Sequence, residues 1–198
     1  MENILIDMLR ADLQGFPDSP LPTGYSMRLY RPGDADLWVD IVDEADEFLT
    51  VTQETFDKEF GYDLPAMGDR CYFLVDSSGR EIGTTTAWYA PNYKGDGVCY
   101  GRVHWVAIRP EAQGRGLCKP MLTVIMKRLA QSHDRGVLGT SSRRIPALKC
   151  YLDFGFVPDM TSDRAFEGWS QVCSVMKHPN LDVVPELRAL DEQDRAGT

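Results

Sequence analysis

The residues best suited to chemistry form one run, Val106-Ala107-Ile108-Arg109-Pro110-Glu111-Ala112-Gln113-Gly114-Arg115-Gly116-Leu117-Cys118. An apolar stretch that reads as a strand meets a proline, then a glycine-rich corner, then an amphipathic stretch that reads as a helix. Pro110 ends the strand ladder because it has no N–H to donate. Gly114 and Gly116 remove side-chain bulk where the backbone turns into the helix. The first N–H groups of a helix have no internal partner and lie at the positive end of its dipole, so this corner suits a phosphate or pyrophosphate. Two glycines before a helix also describe a plain turn. No Gly-Lys-Ser/Thr comes after them, which excludes a Walker loop, and the third glycine of the dinucleotide-binding fingerprint is missing.

The wider pattern resembles the GNAT superfamily of acyl-CoA-dependent N-acyltransferases. Its Gln/Arg-x-x-Gly-x-Gly/Ala motif is matched in order by Gln113, Gly114, Arg115, Gly116, Leu117 and Cys118, with Cys118 where glycine or alanine is usual. A second signature, Ala-x-x-x-Tyr-x-x-x-Gly-Phe, is matched by Ala147, Tyr151, Gly155 and Phe156. Pro120, early in the helix, and Arg144, where many relatives carry Asn, depart from the pattern. The resemblance covers residues 25–176. It implies acetyl-CoA as co-substrate, with the pantetheine arm along Val106, Ala107 and Ile108 and the pyrophosphate on Gln113 to Cys118. It also implies direct transfer of an acetyl group to a primary amine.

The same resemblance makes Tyr151 the acid that protonates the departing sulfur, against the alternative of a core tyrosine. A backbone N–H near Val106 would polarise the thioester carbonyl. Alternation along the strand places Arg102, His104, Val106 and Ile108 on one face. Arg102 stands where relatives often have a glutamate, and His104, two residues nearer the thioester, titrates near neutral pH. His104 is therefore the candidate base; a structural histidine, base action through water, or no dedicated base are the alternatives. Asp40, Asp43, Glu44, Asp46 and Glu47 form an acidic run that is either a solvated helix face or an attraction for a cationic amine. Trp88, Tyr89 and Tyr93 either line a pocket or pack the core.

The elements that must hold these residues are set by periodicity. Ile4, Leu5, Met8, Leu9 and Leu13 fit a helix, which the proline-rich stretch 17–24 separates from the main body; this helix packs on that body or serves as a dimerising surface. From Tyr25 the pattern reads strand, two helices, three antiparallel strands (71–76, 81–89, 100–108), the long helix after Gly114, a strand (136–140), a helix (145–154), a strand after Gly155, and a last strand (172–176). The expected class is α/β (α+β), a mixed and mostly antiparallel sheet of six to seven strands flanked by helices and splayed at the cofactor site. The organisation expected is residues 1–24 as helix and linker, 25–178 as the acetyltransferase domain and 179–198 as a polar, frayed tail.

Composition bounds the partners. Thirty acidic against 21 basic residues leave a formal charge of −9, which argues against nucleic acid or an anionic membrane surface. No apolar run approaches a bilayer-spanning length, and no secretory signal opens the chain. Five scattered cysteines with no Cys-x-x-Cys pair read as reduced core thiols, with no metal site. A cytoplasmic protein acting on a small-molecule or protein amine is the expectation. A CoA-binding sensor without turnover, or an interaction protein using the N-terminal segment, are the competing readings.

Overall fold

The computed structural model describes residues 1–196. In chain order its elements are β1 (Leu5–Arg10), β2 (Ser26–Leu29), α1 (Ala35–Ala45), α2 (Gln53–Phe60), a 3-10 stretch Gly61–Ala66, the one-turn α3 (Met67–Arg70), β3 (Cys71–Val75), β4 (Glu81–Pro91) and β5 (Cys99–Ile108). A 3-10 turn at Pro110–Ala112 precedes α4 (Cys118–Leu129), β6 (Gly136–Ser141), α5 (Ile145–Asp153), β7 (Val157–Asp159), α6 (Ala165–Val175) and α7 (Pro185–Ala196). Seven strands form one sheet in the order β2-β3-β4-β5-β6-β1-β7. The class is the mixed, mostly antiparallel sheet with flanking helices that the sequence leads one to expect.

Two compact units divide the chain. The unit built from residues 18–89 and 101–132 holds α1 to α4 and the antiparallel ribbon β2-β3-β4. Its apolar residues form two clusters. One gathers Trp38, Ile41, Phe56, Phe60, Phe73 and Trp88 under α1 and α2. The other gathers Leu74, Ile82, Leu117 and Met121 under α4. The register between β3 and β4 slips at Ile82: Leu74 faces Gly83 while Val75 faces Glu81. The Ile82 carbonyl accepts instead from the Arg109 N–H at 2.8 Å.

The second unit, residues 1–17, 90–100 and 133 onward, corrects three expectations. The N-terminal segment is not a helix: β1 pairs antiparallel with β6 on one side (Ile6 opposite Thr140) and with β7 on the other (Met8 opposite Pro158). Ile4, Ile6 and Met8 are buried while Leu5 is 75% exposed, the period-two pattern of a strand covered on one face. The segment 172–176 is not a strand. It ends α6, whose Ala165, Gly168, Trp169 and Val172 are buried at helical spacing. The tail is not frayed through residue 196, since α7 forms there and Leu181, Val184 and Leu187 are buried; the expectation for 197–198 lies outside the described residues. None of the five cysteines is in a disulfide, but only Cys71 and Cys173 are buried, and Cys99 is exposed.

The loop between β4 and β5 is fastened to this unit by side chains. Lys94 pairs with Asp159, which is 3% exposed, and donates to Thr161 Oγ1 at 2.9 Å. Asp96 accepts from the Tyr100 hydroxyl at 2.8 Å and pairs with Arg135.

Gly168 provides a test of this packing. A Cβ there would lie 2.5 Å from Ile6 Cγ2. In an open helix Gly→Ala stabilises by about 1 kcal/mol, but here overpacking costs about 1–3 kcal/mol. Gly168→Ala is expected to lower the urea midpoint, whereas a rise would mean that α6 does not press on β1.

Candidate active site

The glycine corner lies where β5 hands over to α4. Gly114 and Gly116 have φ of 73° and 74°, the left-handed region that glycine adopts without steric cost. A Cβ built on either meets nothing within 4 Å, so the glycines serve the backbone turn and keep the space above it clear. Gly116 is followed by Leu117 in the right-handed region (φ −78°, ψ −18°). Such an alternation turns successive N–H groups toward one side, the geometry of an anion-binding nest. No side chain caps α4 at Leu117 and no acidic residue occupies its first turn, so its positive end is not neutralised there. Pro120 sits at the third helical position, where its missing N–H has no intrahelical acceptor to lose. A diphosphate therefore fits the residues present.

Side chains brace the corner from behind. Gln113 Nε2 donates to the Ile108 carbonyl at 2.9 Å, closing the turn onto the end of β5. Arg115 donates to the Glu111 carbonyl at 2.7 Å. Leu117 is buried with Met121 and Leu74, anchoring the helix start.

Upstream, β5 departs from regular alternation. Trp105 has φ of 47°, left-handed backbone in a bulky residue. Trp105 and Ala107 pack on the α1–α2 cluster, with the Trp38 and Trp105 rings 5.3 Å apart and edge-on. Val106 and Ile108 pack on the α4 cluster. His104 stacks edge-on against Phe60 of the α1–α2 cluster at 5.5 Å. His104 and Trp105 thus face the same side, as at a β-bulge. This corrects the expectation that His104 shares a face with Val106 and Ile108: the slip at Trp105 puts the imidazole on the opposite side from them. Beside it, β4 comes close, since a Cβ on Gly83 would be 2.8 Å from the Ala107 carbonyl oxygen.

His104 is 7% exposed and its Nε2 lies 2.9 Å from Glu59 Oε2 on α2. Burial pushes its pKa down to about 4 against the upward pull of Glu59, so the ring is neutral near pH 7. The Glu59 carboxyl is held below its ordinary value, first by the hydrogen bond with His104. No periodicity in the sequence points to this pair, because its members are 45 residues apart.

The remaining candidates divide. His104, Val106, Ala107, Ile108, Gln113, Gly114, Arg115, Gly116, Leu117 and Cys118 all belong to one unit, while Tyr151, buried on α5, belongs to the other. In the acidic run, Asp43 accepts from the Val51 N–H and Asp46 from the Phe48 N–H, both at 2.8 Å, so these two shape the loop after α1. Glu44 pairs with the buried Arg109 just after β5. Trp88 is a core residue, Tyr89 hydrogen-bonds Asp63, and Tyr93 lies in the other unit against Tyr100. Among the described residues no group of histidine, cysteine and carboxylate side chains is arranged to hold a metal, and no helix is long and apolar enough to cross a membrane.

A glycine corner feeding an uncapped helix from an interrupted strand, in a sheet of this order, agrees with a family comparison. The model of the acetyltransferase (GNAT) family matches residues 38–156. The chain belongs to this family. It is 32% identical over 151 residues to the mycothiol acetyltransferase of Arthrobacter sp. (strain FB24), a match that covers 71% of this chain and 45% of that protein. The chain thus spans about half the length of the curated relatives it matches. Among solved structures, a GCN5-related N-acetyltransferase from Sphaerobacter thermophilus has a TM-score of 0.63 at 20% identity, over 79% of this chain and 49% of its own. The NatC complex bound to Gag peptide and CoA has a TM-score of 0.55 at 17% identity, over 66% of this chain and 82% of that chain. The last two are likenesses of fold.

The buried imidazole predicts a pH dependence of stability. Its pKa is about 4 folded against 6.5 in the open chain. Between these values the unfolded chain binds a proton that the folded chain refuses, so stability falls as pH falls through that window. Urea midpoints should decline from pH 6.5 toward pH 4, and the decline should flatten in His104→Asn. An equally steep decline in the variant would assign the proton uptake to other groups.

Proposed function

We propose that this chain transfers an acetyl group from acetyl-CoA to a primary amine. The observation that carries the proposal is the pair of left-handed glycines, Gly114 and Gly116, opening clear space at the uncapped start of α4. That corner offers backbone N–H groups and helix-dipole charge to the CoA pyrophosphate. The strand leading into it, Val106 to Ile108, runs alongside the pantetheine arm. The backbone is left-handed at Trp105, and the Val106 N–H next to it is the donor assigned to polarise the thioester carbonyl and hold the developing oxyanion. Membership of the family supports acyl-CoA as donor. The names of the mycothiol acetyltransferase relatives support acetyl as the group transferred.

His104, neutral at physiological pH, accepts the proton that the acceptor nitrogen sheds as the amide forms. Tyr151, matched to the family's second signature, protonates the CoA thiolate as it leaves. The acceptor is an amine on a small molecule or on a protein. Action in the cytoplasm and self-association as a homodimer belong to the same reading.

Calorimetry with acetyl-CoA, against NADH and ATP as controls, tests the donor site. Selective binding is expected. In Gly116→Ala, a left-handed Cβ costs about 1–2 kcal/mol of stability, and acetyl-CoA affinity should fall at least about tenfold while the fold persists. Unchanged affinity would remove the corner from the site. Tyr151→Phe should slow transfer with acetyl-CoA affinity little changed; an intact rate would remove Tyr151 as the acid. Binding without turnover on any amine would leave a sensor module instead.

A further inference from the structure

We propose that Glu59 is a positioning residue: it fixes His104 as the Nε2–H tautomer, leaving Nδ1 as the ring atom that takes the proton of the acceptor amine. This deepens the acetyl-transfer reading and rests on it.

Donor and acceptor roles set the tautomer. An ionised carboxylate can only accept, so a neutral imidazole 2.9 Å from Glu59 Oε2 must present Nε2–H to it. The second nitrogen, Nδ1, then carries the lone pair. Orientation is fixed by more than one bond, because the ring stands edge-on to Phe60 at 5.5 Å and beside Trp105 at 5.9 Å. Glu59 is itself held. It belongs to the last turn of α2, a helix that opens with a reciprocal capping box between Thr52 and Thr55 and buries Phe56 and Phe60. The charged groups that act on the ring are Glu59 from α2 and Arg102 from its own strand.

Location matters as much as tautomer. His104 directly precedes the left-handed Trp105 and stands two residues before Val106. A proton acceptor there lies within a few residues' reach of the thioester without sharing the face that packs on α4. Protons and electron pairs balance across the transfer. The acceptor enters as the free amine, its ammonium proton having passed to solvent. Its lone pair forms the N–C bond as the C–S bond breaks. The new bond acidifies the nitrogen, whose second proton passes to Nδ1 as the amide forms, and the CoA thiolate gains a proton from the acid on its side. Glu59 stabilises the imidazolium formed in that step, and the ring returns its proton to solvent, from which the acid is replenished.

A histidine that only fills the core would need the hydrogen bond but not the charge. Glu59→Gln separates these, because Gln Oε1 can still accept from Nε2–H. Rates of amine acetylation measured across pH are expected to show kcat falling about 10- to 100-fold in Glu59→Gln. The KM for acetyl-CoA should stay within about twofold, since Glu59 holds the ring rather than the cofactor. The acid limb of the profile should move to lower pH, as Glu59 no longer raises the imidazole pKa. Glu59→Asp should recover part of the rate. Independently of activity, nitrogen NMR of the substrate-free protein should show Nε2 protonated and Nδ1 bare at neutral pH. Glu59→Gln with wild-type kcat and profile, or an NMR spectrum showing Nδ1 protonated, would overturn the proposal. Failure of the acetyl-transfer reading would appear differently, as wild-type protein that binds no acetyl-CoA.

Discussion

A strand packed on both faces cannot accommodate a left-handed residue without cost, and the site depends on the one at Trp105. Such backbone costs roughly 1–3 kcal/mol in a non-glycine residue and persists only where its surroundings over-determine it. Here the indole is wedged edge-on against Trp38, in the cluster that also holds Phe56 and Phe60. The slip sorts the neighbouring side chains. His104 and Trp105 go together toward α1 and α2, while Val106 and Ile108 go toward α4. One backbone irregularity thereby places a titratable ring on one side of β5 and a helix start on the other. The adjacent strand is irregular as well, for β4 slips at Ile82 and gives that carbonyl to Arg109.

A net charge of −9 does not by itself exclude a local anion site. Attraction is made locally, by backbone dipoles and by the absence of acid in the first turn of α4, so the global field need not favour it. Nearby carboxylates are engaged elsewhere. Glu44 holds Arg109, Glu59 holds His104, and Glu81 and Asp34 share Arg28.

How much the sequence discloses depends on how local each signal is. The corner from Gln113 to Cys118 is legible because its glycines, its strand and its helix are contiguous. The helices at 118–129 and 145–153 are legible from their apolar spacing. Residues 4–9 mislead because Ile4 and Met8 satisfy both a helical and an alternating pattern, and pairing with β6 and β7 decides between them. The apolar end of α6 resembles a strand until Ala165, Trp169 and Val172 are seen to share one buried stripe. Glu59 carries no local signal, since its meaning comes entirely from a partner across the fold. The slip at Trp105 is equally hidden, as a tryptophan is among the least expected residues for a left-handed turn.

The position of β1 has a consequence for how the molecule is made. Its partners, from Gly136 to Ser141 and from Val157 to Asp159, are synthesised long after it. At about 5–20 residues per second, a ribosome needs on the order of ten seconds to pass from Ile6 to Thr140. For most of that interval Ile4, Ile6 and Met8 have neither the strands nor the helix that will cover them. Loops this long also make pairing entropically slow. The unit that receives β1 therefore closes only after Gly136–Ser141 has been made, and a nascent chain stalled before Gly136 carries an unpaired apolar strand that other chains can capture.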